Sequence, residues 1–95
     1  MEGQASISTD ILARYAADAA REVEGVRDVP ARRGVRIAAD DGAVHVELHL
    51  AVDWGASIPA VGREVQSRVR EYLERMADVD PAAVDVVVEE VGPPA

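Results

Sequence analysis

The sequence predicts an α+β fold: a two-layer sandwich with two helices packed on one face of a small mixed sheet of three to four strands. Three observations predict it. Residues 12–23 and 58–76 place apolar side chains three and four apart, the period of a helix buried on one side. Residues 44–53 alternate apolar and polar five times without a fault, the period of a strand with one buried face. Before that run stands Asp41-Gly42, whose turn chemistry matches the twist of a hairpin. The order is helix, hairpin, helix, strand. At 95 residues the chain is one domain, 1–95, with its core at about residues 5–91.

A short extended piece, Gln4 to Ile7, comes first. Ser8-Thr9-Asp10 then starts the first helix, because a hydroxyl accepts from free backbone N–H groups and Asp10 suits the positive end of the dipole. Leu12, Tyr15, Ala16, Ala19 and Val23 form its inner face, and it is expected to run to about Glu24, where Gly25 ends it. Val26 to Pro30 is extended and then broken by proline; Arg32-Arg33-Gly34 is a loop. In the first hairpin strand Val35, Ile37 and Ala39 alternate with Arg36 and Ala38. In the second, Val44, Val46, Leu48, Leu50 and Val52 point inward, and His45, Glu47, His49, Ala51 and Asp53 point outward. Trp54 continues the inward parity, so it is expected to cap the core, where truncation costs about 3–5 kcal/mol.

Ser57 and Pro59 open the second helix, with proline placed where its missing N–H does no harm. Its stripe is Ile58, Val61, Val65, Val69, Tyr72, Leu73 and Met76, and it ends near Asp78, ahead of Asp80-Pro81. The last strand, Val84 to Val91, buries either Val84, Val86 and Val88 or the opposite set. The helix before it forms a right-handed crossover. The pattern leaves open whether this strand pairs with the long strand or with the first hairpin strand.

Composition excludes several function classes. Ala and Val supply 33 of the 46 apolar residues, so little aromatic surface is available for stacking. There is no cysteine, hence no disulfide, thiolate nucleophile or cysteine metal site. No apolar run approaches the ~20 residues of a membrane span. The segment Met1-Glu2-Gly3-Gln4 lacks the basic and apolar parts of a secretory signal, which points to the cytoplasm. A net charge of −8 argues against nucleic acid, whose affinity comes mainly from Lys and Arg.

Four features carry candidate chemistry. His45-x-Glu47-x-His49 has metal-ligand residue types on one strand face, about 6.5–7 Å apart. A solvated strand face with two ordinary histidines is the favoured reading, so no metal or other cofactor is expected. Replacing both histidines is then expected to change stability by under ~1 kcal/mol. Asp40-Asp41 is read as a turn, since calcium needs more oxygen ligands than it offers. Arg32, Arg33 and Arg36 form a small basic spot suited to an acidic partner. Ala51 and Val87 put apolar surface on the outward sheet face, which with open sheet edges suits self-association. These five residues are the candidate partner-binding set; no catalytic constellation and no phosphate-cradling glycine loop is present.

The string Ile7-Ser8-Thr9-Asp10-Ile11-Leu12, with Tyr15-Ala16, Ala19-Ala20 and Glu22-Val23-Glu24-Gly25-Val26, resembles the opening of the alkaline shock protein family, also called the envelope stress response family. Gly34-Val35, Trp54-Gly55, Ile58-Pro59, Val65-Gln66, Val69 and Val84-Asp85-Val86-Val87-Val88 follow in the family's order, over about residues 5–91. The resemblance implies a non-catalytic bacterial protein of cell-envelope stress and homeostasis. It implies association with itself or related members and recruitment to the inner face of the cell membrane by a membrane-anchored partner. The chain lacks the long charged C-terminal tail of many members. The alternatives are a small RNA-binding α+β domain, opposed by the charge and the scarcity of aromatics, and a metal-dependent or hydrolytic enzyme, favoured only by the two histidines. Direct membrane adsorption is not expected, because both helices mix Arg with acids and a net −8 is repelled by anionic headgroups.

Overall fold

The computed structural model describes residues 7–30 and 33–93. In chain order they form α1 (Thr9–Arg21), β1 (Val26–Asp28), β2 (Val35–Asp40), β3 (Ala43–Val52), α2 (Ile58–Ala77) and β4 (Ala83–Val91). Helices cover one face of a four-stranded sheet, as the periodicities predict. Of the leading extended piece, Gln4 to Ser6 lie outside the described residues, and Ile7 is not in a strand.

Ser8 caps α1 by accepting from the Ile11 N–H at 3.2 Å. The helix ends at Arg21 rather than Glu24, because the chain needs Glu22 to Gly25 to turn into β1. Val23 stays buried within that turn. Gly25 sits at φ +98°, and a Cβ there would lie 2.7 Å from Cγ2 of Val61 on α2. A side chain at this position would therefore strain the backbone and push the second helix away.

β3 is the centre of the sheet. β2 runs antiparallel along its first half, from Asp40 opposite Ala43 to Val35 opposite Leu48. β1 pairs with the far end of the same edge, Val26 opposite Val52. Between them, at Gly34, the ladder is interrupted, and the carbonyl of Gly34 accepts from the His49 N–H at 2.7 Å. β4 takes the other edge of β3 and runs parallel to it, from Ala83 opposite His45 to Val91 opposite Val52. That settles the pairing the sequence left open, and it makes α2 a crossover between parallel neighbours. One residue is added to β4 between Leu50 and Ala51 of β3: Leu50 faces Val88, but Ala51 faces Glu90.

The inward parity of β3 supplies the core, with Val46, Leu48, Leu50 and Val52 against Val65, Val69 and Leu73 of α2 and Leu12, Ala16, Ala19 and Ala20 of α1. On β4 the buried set is Val84, with Val86 and Val88 packed against the core. Each fully buried Val or Leu stabilises the fold by about 1.5–3 kcal/mol. Tyr15 and Tyr72 meet edge to face between the helices, ring centres 5.7 Å apart. Asp78 closes α2 in the left-handed conformation, with the Val79 N–H returning to the Leu73 carbonyl. The stripe of α2 is longer than the sheet beneath it, so its ends, Ile58 and Met76, are 44% and 46% exposed.

Trp54 corrects the parity argument. The strand stops at Val52, the Asp53 N–H bonds to the Gly25 carbonyl, and the chain turns at Trp54-Gly55. Alternation ends with the strand, and Trp54 is 61% exposed instead of capping the core.

Candidate functional site

The open face of the sheet is built by the outward parity of three strands. Register places Arg36 of β2 beside Glu47 of β3, with Asp85 of β4 on its other side. One row along, His45 lies between Ala38 and Ala83; one row the other way, His49 lies beside Val87. Of the candidate residues, Arg36 and Val87 thus share this face, flanking the central strand, and Val87 is 40% exposed. Arg33 is exposed in the loop whose Gly34 carbonyl holds the His49 backbone; Arg32 lies outside the described residues.

Ala51 corrects an expectation. It keeps the outward parity but is buried, at 7% exposure, because a methyl group on the central strand is screened by β1 on one side and the extra residue of β4 on the other. It offers a partner almost no surface.

His49 organises the face. Its Nε2 lies 2.5 Å from a Glu47 carboxylate oxygen and its Nδ1 lies 2.8 Å from one of Glu89. Ionised carboxylates only accept, so satisfying both contacts requires an N–H on each ring nitrogen, the imidazolium form. The hydrogen bonds to Glu47 and then Glu89 accordingly raise the His49 pKa above its ordinary value, against a smaller opposing effect of burial. The same bond holds Glu47 below the usual carboxylate range, with the charges of His49 and Arg36 acting in the same direction.

Glu89 was not singled out by the sequence. Its signal was present: it shares parity with Val87 in a strand whose other parity is apolar. Glu89 is itself the residue added to β4, between Val88 opposite Leu50 and Glu90 opposite Ala51, and the usual effect of such a bulge is to re-aim a side chain.

This arrangement bears on the metal reading of His45, Glu47 and His49. The two carboxylates take opposite nitrogens of one ring, so they do not converge on a single point with it. Among the described residues no group of three or more His, Asp or Glu side chains is placed to hold a metal ion. Both ring nitrogens of His49 are engaged by acids, which leaves neither free to take a proton from a substrate.

With this geometry in place, comparison with known proteins decides the family. Residues 1–93 match the profile of the alkaline shock protein 23 family, described as having a cell envelope-related function. The chain belongs to the alkaline shock protein 23 family. Its resemblance to a curated protein of that kind of size is modest: it is 23% identical over 99 residues to the uncharacterised protein YqhY of Bacillus subtilis (strain 168), covering 88% of this chain and 73% of that one. Among solved structures, the MamM CTD superposes with a TM-score of 0.62 at 17% identity, covering 87% of this chain and 99% of that one. A manganese form of a MamM CTD variant gives 0.61 at 16% identity over the same shares. At those identities the likeness is one of fold. Among the described residues no helix is long and apolar enough to cross a membrane.

Proposed function

We propose that this member of the family is a non-catalytic interaction domain of bacterial cell-envelope homeostasis, which self-associates and is recruited to the inner face of the cell membrane by an anchored partner. Family membership supports the envelope role. The observation that carries the interaction reading is the open sheet face, where Arg36, the Glu47–His49–Glu89 network and exposed Val87 lie on one surface that no helix covers.

The composition of that face weighs against the RNA-binding alternative. Glu47, Asp85 and Glu89 outnumber Arg36, and no Phe, Tyr or Trp side chain is present for a base to stack on. The net charge of −8 likewise disfavours direct adsorption to anionic lipid, so an anchored protein is the better route to the membrane.

Two measurements test the proposal. Sedimentation velocity at tens of micromolar should show dimers or larger species that Val87→Glu weakens; a monomer at every concentration counts against self-association. Co-sedimentation with anionic vesicles should show no binding of the protein alone. Strong salt-sensitive binding would remove the need for a partner.

A further inference from the structure

Among the described residues seven large apolar side chains are exposed, and their distribution is uneven. Val87 is on the open sheet face, and Trp54, Ile58 and Val91 belong to segments at the end where β3 finishes. The other three, Ile7, Ile11 and Met76, are 39%, 43% and 46% exposed and sit at the opposite end. There the start of α1 meets the end of α2 above the β2–β3 hairpin. Ile7, Leu12, Ala39, Val44, Ala77 and Val79 line an open groove of about 500 Å³ between these elements.

Among the described residues the one charged side chain that lines the groove is an aspartate, Asp78. Asp10, Asp40 and Asp80 each adjoin a lining residue in the chain. Asp41 follows in the hairpin turn. All five are exposed, and among the described residues none is within ion-pair distance of an arginine or histidine. Elsewhere among the described residues Glu22, Glu47, Glu64, Glu89, Asp18 and Asp53 have such partners, whereas Glu24, Asp28, Glu71, Glu74, Asp85 and Glu90 do not, so what marks the five aspartates is their gathering beside the groove.

We propose that this groove is the docking site for a basic amphipathic segment of another protein, whose apolar side chains enter between α1 and α2 and whose Lys or Arg residues meet the aspartate rim. Charge selects the occupant. An anionic lipid surface is repelled by the rim, and a second copy of this chain brings a net −8 toward five aspartates. A cationic helix with one apolar side satisfies both the groove and its edge, the familiar helix-in-groove mode of recognition. The site is separate from the open sheet face and does not depend on which surface mediates self-association.

The test uses a fluorescent helical peptide of leucine and lysine with one apolar side, and a leucine–glutamate peptide as its control. Binding to the full chain is followed by anisotropy. The lysine peptide should bind, more weakly as salt rises, and the glutamate peptide should not. Asp10→Asn, Asp78→Asn and Asp80→Asn together should weaken binding by about tenfold, the combined effect of three exposed charge contacts. Asparagine is chosen because it tolerates the left-handed conformation of Asp78. Ile7→Ser with Val79→Ser should weaken it comparably; both line the groove with part of their surface exposed, and circular dichroism checks that the fold is kept. Neutralising Glu24, Glu71 and Glu90 to glutamine changes the net charge equally but leaves the groove intact, and should have little effect. Equal weakening by that distant set would reduce the binding to net charge and overturn the proposal. So would indifference to both groove variants, or salt-sensitive binding to anionic vesicles. If the serine variants instead abolish self-association of the protein alone, the groove's occupant is a second copy and the proposal fails.

Discussion

On the helix-covered face of β3, Val46, Leu48, Leu50 and Val52 are each 1% exposed or less. On the open face of the same strand, His45 is exposed and Glu47 and His49 are half-buried. Ten residues of one strand therefore serve two ends. One parity is committed to packing, where any loss of volume leaves a cavity that close-packed neighbours cannot fill. The other parity, apart from buried Ala51, faces outward and holds a network whose strength follows protonation. The contrast implies that substitutions on the first face act on folding, and substitutions on the second act on charge and contact.

The largest effect expected is on the covered face. Leu48 is fully buried at the centre of the sheet, and Leu48→Ala should destabilise by about 2–5 kcal/mol, from lost burial and the cavity left behind. Denaturant unfolding measures it. A change below ~1 kcal/mol would mean that the sheet and helices are not packed as described. Next comes Gly25→Ala, at the turn under α2. The positive φ and the approach to Val61 together should cost about 1–3 kcal/mol. A neutral result would show that this turn relaxes freely.

On the open face the expected effect depends on pH. The His49 pKa is raised on folding, so its contribution is complete below the unfolded value near 6.5 and is lost as pH rises through the folded value. The Glu47 pKa is lowered, so its contribution is complete above the unfolded value near 4.5 and is lost as pH falls through the folded value. The network should therefore be strongest between these two pH values. The stability difference between the protein and its His49→Gln variant should peak in that window and shrink on the alkaline side. A difference that stays constant into the alkaline range would show that His49 is not held as the imidazolium. By contrast the His45 side chain has no hydrogen bond to another described residue, and His45→Ala should stay within about 0.5 kcal/mol of the parent.

How much of this was legible in the sequence follows from which signals are local. The faultless alternation of residues 44–53 gave β3 and both of its faces, and the four-residue steps Val61, Val65, Val69, Leu73 gave α2 and its buried side. Both are properties of a single element. The pairing of β4 with β3 was not legible, because two partners of equal apolar character were available and only the packed molecule chooses. Glu89 belongs to the site through a contact with a residue 40 positions away, so no local pattern joins it to His49. The aspartate-rimmed groove is more dispersed still, drawn from α1, the hairpin and the end of α2. Arg36 was recognised as part of a basic spot and Val87 by strand parity, and parity failed for Ala51 because it reports direction and not what lies alongside.

Trp54 is where the two faces meet at the end of β3, and it provides the smallest expected effect. Had strand parity continued, its truncation would rank with that of a buried aromatic, about 3–5 kcal/mol. At 61% exposure it has little burial to lose, and Trp54→Ala should change stability by no more than about 0.5 kcal/mol. As the only tryptophan of the chain it also reports its own surroundings. In dilute solution its fluorescence should resemble that of free indole in water, respond strongly to a soluble quencher, and shift little on unfolding. A large blue shift on folding, or a cost of several kcal/mol on truncation, would return Trp54 to the core and undo the turn described at Asp53 to Gly55. If the emission moves to the blue only as concentration rises, with unfolding stability of the variant still unchanged, then the side chain is covered by another copy. Self-association would then use the end of the sheet as well as its open face.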